Sequence, residues 1–413
     1  MIRYLRHTCL GFMGLALLCS WVPNASGQIA AEPEGMTLEQ RRNRMVSFAE
    51  REMTLELIRL VAIDGAFEEL RPKLYQAGEP AATKAGEARA KNKKLPTFVL
   101  RNFPDRRVAK ALADMAESLV SEKIAKMYLK DVADRRTFFD AAYTDLLVGM
   151  LDQQVNLTPK QAAQIGARLK NTSWFSFTHP HLHHYDWSWG IKPPAEFLTM
   201  DLPELTKSQR DGWVMRTKLL QALPTHTNLD DDFDEFKSRC QKAIAFKIRI
   251  LAEQYELTAA SSRRLELAGK GVTTKLAAAW RDAWATRTQQ DRGPVWLSSN
   301  REFTQFTDLF DLIESHSDWH RRVLSVLSKQ HRKTYNEWLA VRAQRAHDAA
   351  WRCWVVCWSL RMGLTAKQER DLFQLVSTQL PVDPTGTRAS HANWERLGSI
   401  PMTAFEKAIG KDQ

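Results

Sequence analysis

The sequence predicts an all-α protein, and three observations support this prediction. A five-residue pattern, Leu-Thr-x-x-Gln, occurs in five complete or degenerate copies. Apolar residues recur at spacings of three and four over long windows, which is the period of one helix face. No convincing series of alternating β-branched residues indicates strands. We therefore expect capped helical hairpins that pack into one elongated bundle or into two adjoining bundles.

Each complete copy of the pattern contains the signals that begin a helix. The threonine hydroxyl at the N-cap accepts from the third backbone amide, and the glutamine side chain reaches back to the N-cap amide, which forms a capping box. The leucine before the cap supplies half of a hydrophobic staple. The complete copies occupy residues 157–161, 205–209 and 364–368, and the predicted cap residues are Thr158, Gln161, Thr206, Gln209, Thr365 and Gln368.

Two copies are degenerate, and we expect their caps to be weaker. Residues 257–261 keep the threonine but end in serine, whereas residues 326–330 keep the glutamine and lack the threonine. A separate Thr-x-x-Gln sequence at residues 37–40 predicts one more capped helix.

The first 27 residues have the pattern of a secretory signal peptide. Arg3 and Arg6 form a basic segment, residues 9–22 are apolar, and small residues occupy positions 25–27. The apolar segment is too short to span a bilayer, which needs about 20 residues. We expect a periplasmic or secreted protein with a cleaved signal. The alternative is an uncleaved signal that anchors the N-terminus in the membrane.

The formal net charge is +11, and it falls to +9 when the two arginines of the signal are removed. A basic balance favours anionic envelope surfaces such as lipid head groups or cell-wall polymers. Acidic residues are nevertheless interspersed almost everywhere, which is typical of a solvated mixed-charge helix surface. Export argues against a nucleic-acid partner. The sequence leaves open whether the chain forms homo-oligomers.

The composition divides the chain into five segments. They are a signal peptide (1–27), a linker (28–36), an N-terminal helical segment with a charged loop (37–96), a helical region with an aromatic and histidine-rich loop (97–223, loop 171–194), and a C-terminal helical region (224–413). In the last segment we expect a long helix from Asp230 onward, and one or two long helices between residues 302 and 362.

The loop at residues 171–194 is too aromatic for a disordered linker and too irregular for a helix. Its aromatic residues are the candidate contacts for partner polypeptides: Trp174, Phe175, Phe177, Trp187 and Trp189. Its histidines are the candidate metal ligands: His179, His181, His183 and His184. Alternate side chains of an extended backbone point to one side, which suits zinc, copper or nickel. The alternative is a polar loop whose histidines make ordinary hydrogen bonds.

A second histidine pair, His316 and His320, has the spacing of one helical turn. Such a pair can chelate one ion, but the glutamate of a zinc-protease motif is missing, and we favour solvated helix histidines. Trp351, Trp354 and Trp358 repeat at three and four, so we expect a stripe in the core rather than a partner-facing stripe.

The cysteines do not suggest a disulfide scaffold. Cys353 and Cys357 lie one helical turn apart, where Cβ atoms stand about 6 Å from each other, wider than a disulfide permits. We expect small buried hydrophobic residues at these positions and at Cys240. A disulfide between one of the pair and Cys240 is the alternative.

The Leu-Thr-x-x-Gln copies resemble those of the Spy/CpxP group of exported helical proteins, and this resemblance implies envelope-stress signalling or ATP-independent chaperoning. A longer similarity is carried by Arg264-Leu265-Glu266-Leu267-Ala268-Gly269-Lys270-Gly271 and by residues 135–158. These segments are similar to exported helical proteins of planctomycete-type bacteria, whose function is undetermined. The chain departs from that pattern after Gly271. The similarity implies the compartment and the fold, and it adds little chemistry.

Enzyme signatures are absent from the sequence: it has no Gly-x-Ser-x-Gly elbow, phosphate loop, dinucleotide fingerprint or Cys-x-x-Cys pair. We therefore expect a non-enzymatic protein that binds other polypeptides in envelope stress protection or sensing. Apolar contacts and a basic rim would provide the binding. One alternative is a periplasmic metal-binding sensor or buffer that uses the histidine-rich loop, with a divalent transition metal as its cofactor. Another is a structural helical envelope protein.

Overall fold

The computed structural model describes residues 37–64, single positions between 76 and 87, and residues 120–170, 197, 199–221, 229–290, 309–380, 382 and 397–410. All regular structure in these ranges is helical, which confirms the all-α fold class. The helices are α1 (Leu38–Asp64), α2 (Glu122–Val155), α3 (Pro159–Lys170), α4 (Lys207–Gln221), α5 (Leu229–Tyr255), α6 (Ala259–Gln290), α7 (Leu309–Ser315), α8 (Ser317–Val326), α9 (Lys329–Met362), α10 (Ala366–Gln379) and α11 (Met402–Ile409). The predicted signal peptide and linker lie outside the described residues.

Two long helices, α2 and α9, organise the packing. Each has 34 residues, which corresponds to about 51 Å of helix, and they lie along each other. The hairpin of α5 and α6 packs beside them, with α8 against α6 and α7 against α5. At the other side, α10 packs on α9 and α2, and α11 packs on α10. Among the described helices, none combines the length and the apolar composition that a bilayer span requires.

The apolar core has three clusters. The largest joins α2 to α9 through buried residues such as Leu147 and Val356, and Phe236 stacks on Trp280 with ring centroids 5.3 Å apart. A smaller cluster joins α1 to α2 and contains Met53, Leu57, Leu60, Ala125 and Tyr128. The third joins α9, α10 and α11. The long helix predicted from Asp230 is α5, and its apolar residues between Phe236 and Tyr255 belong to the largest cluster.

The prediction of one or two long helices between residues 302 and 362 was wrong, because the described part of this segment contains three helices. The backbone of His316 is extended, and its Nδ1 accepts from the backbone N–H of Asp318 at 3.2 Å. Ser328 is also extended and caps α9. The backbone of an N-cap residue is not helical, so each of these caps marks the end of the preceding helix.

Apolar residues at positions 108, 112, 115, 119, 124 and 127 recur at helical spacing, which predicts one buried stripe. Met127 does not fit this prediction, because its side chain is 45% exposed. The neighbouring Tyr128 is fully buried instead, together with Ala125. The reason is that α1 covers the face of α2 that these two residues share, which lies roughly 100–160° around the helix from Met127.

The cysteines and the tryptophan stripe belong to the core. Cys240 and Cys353 are buried, which agrees with the prediction of small buried residues, and they form no disulfide with each other. Burial raises the pKa of the Cys240 thiol to about 12, so this thiol is unreactive at neutral pH. Trp351 and Trp354 are buried with ring centroids 5.5 Å apart, which confirms the core assignment of the stripe.

Candidate functional site

The complete copies of Leu-Thr-x-x-Gln form both hydrogen bonds of a capping box. In the first copy, the backbone N–H of Thr158 donates to Gln161 at 2.9 Å, and the Gln161 N–H donates to the threonine hydroxyl at 3.2 Å. The second copy has the same bonds at 2.9 and 3.3 Å, and the copy at residues 364–368 has them at 2.8 and 3.3 Å. The sequence at residues 37–40 forms them at 2.9 and 3.2 Å.

The degenerate copies keep one capping bond each. The hydroxyl of Thr258 accepts from the Ser261 N–H at 3.2 Å, but serine is too short to bond the N-cap amide in return. In the other copy the cap is Ser328, which accepts from the N–H of His331 at 3.2 Å. The predicted register of 326–330 was therefore wrong by one residue, because a hydroxyl can cap a helix and the aliphatic Leu327 cannot.

Four of the five copies meet at one end of the helical array. Gln161 Nε2 donates to Gln209 Oε1 at 2.8 Å, which joins the starts of α3 and α4. Gln254, at the end of α5, donates to the carbonyl of Asn156 at 2.6 Å. The rings of Tyr255 and His331 lie 5.6 Å apart, which brings the start of α9 to the same place. We call residues 157–161, 205–209, 257–261 and 327–331 the box end.

The interior of the box end is built around the turn between α2 and α3. Asn156 adopts the left-handed conformation with φ 53°, and Asp152 accepts from the next N–H, that of Leu157, at 2.9 Å. The Leu157 carbonyl accepts from Trp338 of α9 at 2.8 Å. The Asn156 carbonyl accepts from Gln209 at 3.2 Å as well as from Gln254. Side chains from other helices thus satisfy the backbone groups of this buried turn.

Replacement of Gln209 by alanine is expected to lower the free energy of unfolding by about 2–3 kcal/mol. The change removes a cap and leaves buried carbonyls at the α2–α3 turn with fewer donors, which costs about 1–3 kcal/mol beyond the cap itself. Gln330, an exposed residue at the start of α9, is the control, and its alanine variant should change the stability by less than about 0.5 kcal/mol. Urea unfolding followed by circular dichroism measures both. Equal effects would contradict the assigned role of Gln209.

The rim of the box end has an unusual charge pattern. The first turns of α3, α4, α6 and α9 contain no acidic residue, and three of them carry an exposed lysine: Lys160, Lys207 and Lys329. A helix N-terminus is partially positive, so a cation there costs about 0.3–1 kcal/mol instead of stabilising the helix. Exposed cations near the rim extend the pattern: Arg263, Arg264, Arg321, Arg322, Arg332 and Lys333. Such a surface can bind anionic groups.

Acidic residues interrupt the positive rim. Asp211 lies 3.9 Å from Lys207, and Glu256 is exposed in the turn between α5 and α6. Glu253 accepts from the hydroxyl of Thr206 at 3.1 Å and also bonds to Ser208. The rim therefore presents discrete cations beside a few carboxylates rather than a uniform positive field.

A buried ionic cluster supports the box end from within. Lys247 of α5 is 1% exposed and bonds to Glu314 of α7, and Arg342 of α9 bonds to the other oxygen of the same carboxylate. Beside them, Arg345 of α9 donates to Asp152 at 2.7 Å. Burial raises the pKa of Asp152, while Arg342 and Arg345 act against this shift. The cluster joins four helices directly below the rim.

The predicted binding and metal residues of the loop lie outside the described residues: Trp174, Phe175, Phe177, Trp187, Trp189, His179, His181, His183 and His184. The second pair is described: His316 caps α8, and the His320 ring lies 6.1 Å from the Tyr335 ring. Burial lowers the pKa of His316, which favours the neutral form that the cap needs. In the described ranges, no group of three or more histidines, cysteines or carboxylates is placed to hold a metal ion.

Sequence reasoning missed the charged residues below the rim. Lys247 stands between two buried apolar residues, Phe246 and Ile248, and a cation inside such a stretch is a signal for a buried partner. The glutamines at the end of the copies were predicted as caps, but their bonds to neighbouring copies were not. A glutamine that caps its own helix with its side-chain oxygen still has amide hydrogens to donate. This property could have predicted the bonds between copies.

Known proteins give no further guide to the box end. The resemblance of the repeated copies to the Spy/CpxP group, and of the longer segments to planctomycete-type exported proteins, stays a prediction. No protein-family model, no curated protein and no solved structure matches the chain.

Proposed function

We propose that the protein is an exported, non-enzymatic helical protein that binds other polypeptides at the box end, in envelope stress protection or sensing. The convergence of four helix starts, with lysines in three of the four first turns, carries this proposal. These lysines weaken their own helices, and a bound carboxylate would offset that cost. The three lysines are therefore more favourable when an acidic segment of a partner is bound than when the box end is free.

The mixed character of the rim favours a polypeptide over a uniformly anionic membrane. A membrane surface would bring negative charge onto Asp211 and Glu256 as well as onto the lysines. A polypeptide can place carboxylates on the cations and keep neutral or basic residues at the two acids. Leu267, two turns into α6, is 64% exposed and can provide an apolar contact for the same chain.

The test is a triple variant, Lys160→Glu, Lys207→Glu and Lys329→Glu, in the chain from Gln28 onward. Binding of an unfolded, acid-rich client is followed by light scattering without ATP and by fluorescence anisotropy. We expect the wild type to suppress client aggregation near equal molar ratio, less so at high salt, and the variant to bind at least about tenfold more weakly. Each charge reversal removes an attraction and adds a repulsion.

A second triple variant controls for net charge. Lys126, Lys130 and Lys367 are 73%, 75% and 79% exposed, and the first two lie at the opposite end of α2 from the box end. Their replacement by glutamate should leave client binding within about twofold of the wild type. If both triple variants lose binding equally, or if the wild type binds anionic phospholipid vesicles and no client, the proposal is wrong.

The stability of the rim variant separates lost binding from misfolding. Glutamate near a helix start is favourable where lysine is unfavourable, so the rim variant should unfold at higher urea concentration than the wild type. The expected gain is about 1–3 kcal/mol for the three positions at low salt. A variant that loses both binding and stability would show that the lysines are structural.

A further inference from the structure

Five ionisable residues are buried where α1 meets the rest of the helical array. They are Glu56 and Arg59 of α1, Asp131 and Arg135 of α2, and Glu369 of α10, and we call them the α1 ionic cluster. Arg59 Nη1 lies 2.5 Å from Glu56 Oε1, and Arg135 Nη2 lies 2.8 Å from Glu56 Oε2. Arg135 Nε donates to Asp131 at 2.7 Å. None of the five side chains is more than 11% exposed.

The cluster fastens α1 to the turn between α9 and α10. Arg59 Nε donates to the carbonyl of Leu364 at 2.9 Å, and its Nη2 donates to the carbonyl of Ser359 at 2.8 Å. Asp131 accepts from the N–H of Ala366, the first residue of α10, at 2.6 Å. The apolar contact of α1 with α2 is small compared with the other core clusters. Much of the attachment of α1 is therefore polar.

The charges of four members balance, and Glu369 is the fifth. The two arginines bond to Glu56 and Asp131, which gives two cations and two anions. Glu369 is 4% exposed, and its Oε2 has no hydrogen-bond partner among the described residues. An ionised Glu369 would be an excess negative charge in a buried site, whereas the protonated carboxyl leaves the cluster neutral.

Three described helices, α1, α2 and α9, contribute groups that face Glu369 or the arginines beside it. From α1 these are Glu56 and Arg59, from α2 they are Tyr128, Asp131 and Arg135, and from α9 it is the hydroxyl of Ser359. Between this part of α10 and α11, Gln368 donates to the carbonyl of Ile409, and neither group is charged.

Burial outweighs the two arginines at this position. It raises the pKa of Glu369 to about 7, with Ser359, Arg135 and Arg59 acting in the opposite direction and Asp131 adding to the rise. A hydrated glutamate has a pKa of 4.5. The proton is therefore bound more tightly when the site is closed, and loss of the proton favours opening of the site.

We propose that the protonated Glu369 keeps α1 docked on the helical array and that ionisation of Glu369 loosens α1. The element that opens is α1, because its Arg59 bonds to the carbonyls of Ser359 at the end of α9 and of Leu364 in the following turn, and because α10 is fixed to α9 and α11 by the third apolar cluster. Movement of α1 would admit water to the carboxylate without disturbing the box end, which lies many helical turns away along α2.

Hydrogen–deuterium exchange of the chain from Gln28 onward tests the proposal, with rates corrected for the intrinsic pH dependence. In the wild type, protection of the α1 amides should fall about tenfold or more between pH 5.5 and pH 8.5, because each pH unit between the hydrated pKa of 4.5 and the folded pKa of about 7 is worth up to a factor of about ten. Protection of α5 and α6 should not change over the same range. In Glu369→Gln, protection of α1 should be the same at both pH values.

Two results would overturn the proposal: α1 protection that is equal at both pH values in the wild type, or loss of protection by α1, α5 and α6 together. The wild-type experiment needs no variant, so a Glu369→Gln chain that fails to fold does not remove the test. Glu266, exposed on α6, supplies the control: Glu266→Gln should keep the wild-type pH dependence of α1. A control that flattens it as well would also count against Glu369.

Discussion

Replacing Glu314 by glutamine is expected to destabilise the folded chain by about 3–5 kcal/mol, because two buried cations lose their common anion. Lys247 is 1% exposed and the side chain of Arg342 is 10% exposed, so water reaches neither ammonium nor guanidinium well. A glutamine keeps the shape and one acceptor oxygen but leaves the charge uncompensated. Urea unfolding at pH 7, followed by circular dichroism and tryptophan fluorescence, gives the change in free energy.

An exposed pair of the same chemistry is the matched control. Lys275 bonds to Asp318, whose side chain is 37% exposed, and Asp318→Asn should cost less than about 1 kcal/mol. The double variant Glu314→Gln with Lys247→Met should recover part of the loss, since it removes one of the two stranded cations. Equal losses for Glu314→Gln and Asp318→Asn would show that the buried ionic cluster does not hold α5, α7 and α9 together.

The helix starts were predictable from the sequence because capping is a local interaction. A threonine and the glutamine three residues later are adjacent in any helix, so the bonds of Thr158 with Gln161 and of Thr365 with Gln368 need no knowledge of the fold. The leucine before each cap belongs to the same local pattern, as one half of a hydrophobic staple. Leu157 and Leu364 are both 0% exposed. At residues 326–330 the register was predicted from the spacing of the pattern and not from which side chain carries a hydroxyl, and that register was wrong.

The box end and the two ionic clusters could not be predicted from the sequence, because the residues that contact each other there are far apart along the chain. Lys247 and its partner Glu314 are separated by 67 residues, and Gln161 and Gln209 by 48. Hydrophobic periodicity assigns a face to each helix, but it does not say which helix covers that face. Met127 shows the same limit. The helical period was right, but α1 covers a different face of α2 from the one that contains Met127.

The stability of the wild type should depend on pH in opposite directions on the two sides of about pH 4.5. Burial acts to raise the pKa of Glu56, but the arginines beside it hold that pKa at about 2, below the 4.5 of a hydrated glutamate. Its stabilising contribution is therefore present above pH 4.5 and is lost as the pH falls toward 2. At about 1.4 kcal/mol per pKa unit, the contribution is about 3 kcal/mol.

Glu369 acts with the opposite sign. Its pKa in the folded chain is about 7, so its contribution is fully present below pH 4.5 and is lost as the pH rises through 7. Glutamine imitates the protonated carboxyl, so Glu369→Gln should match the wild type near pH 4 and exceed its free energy of unfolding by up to about 3 kcal/mol at pH 8. Glu56→Gln should be less stable than the wild type at pH 7 and approach it near pH 2.5.

The wild-type curve alone does not test the role of Glu369, because other carboxylates also titrate below pH 5. The difference between the wild-type and variant curves of unfolding free energy against pH tests it. Subtracting the Glu369→Gln curve from the wild-type curve cancels every group except Glu369 and those coupled to it. The difference should begin near zero at pH 4, change through pH 5 to 7 and level off at pH 8. A flat difference would mean that water reaches the Glu369 carboxylate in the folded chain, and that the two arginines and Glu369 do not share one dry site.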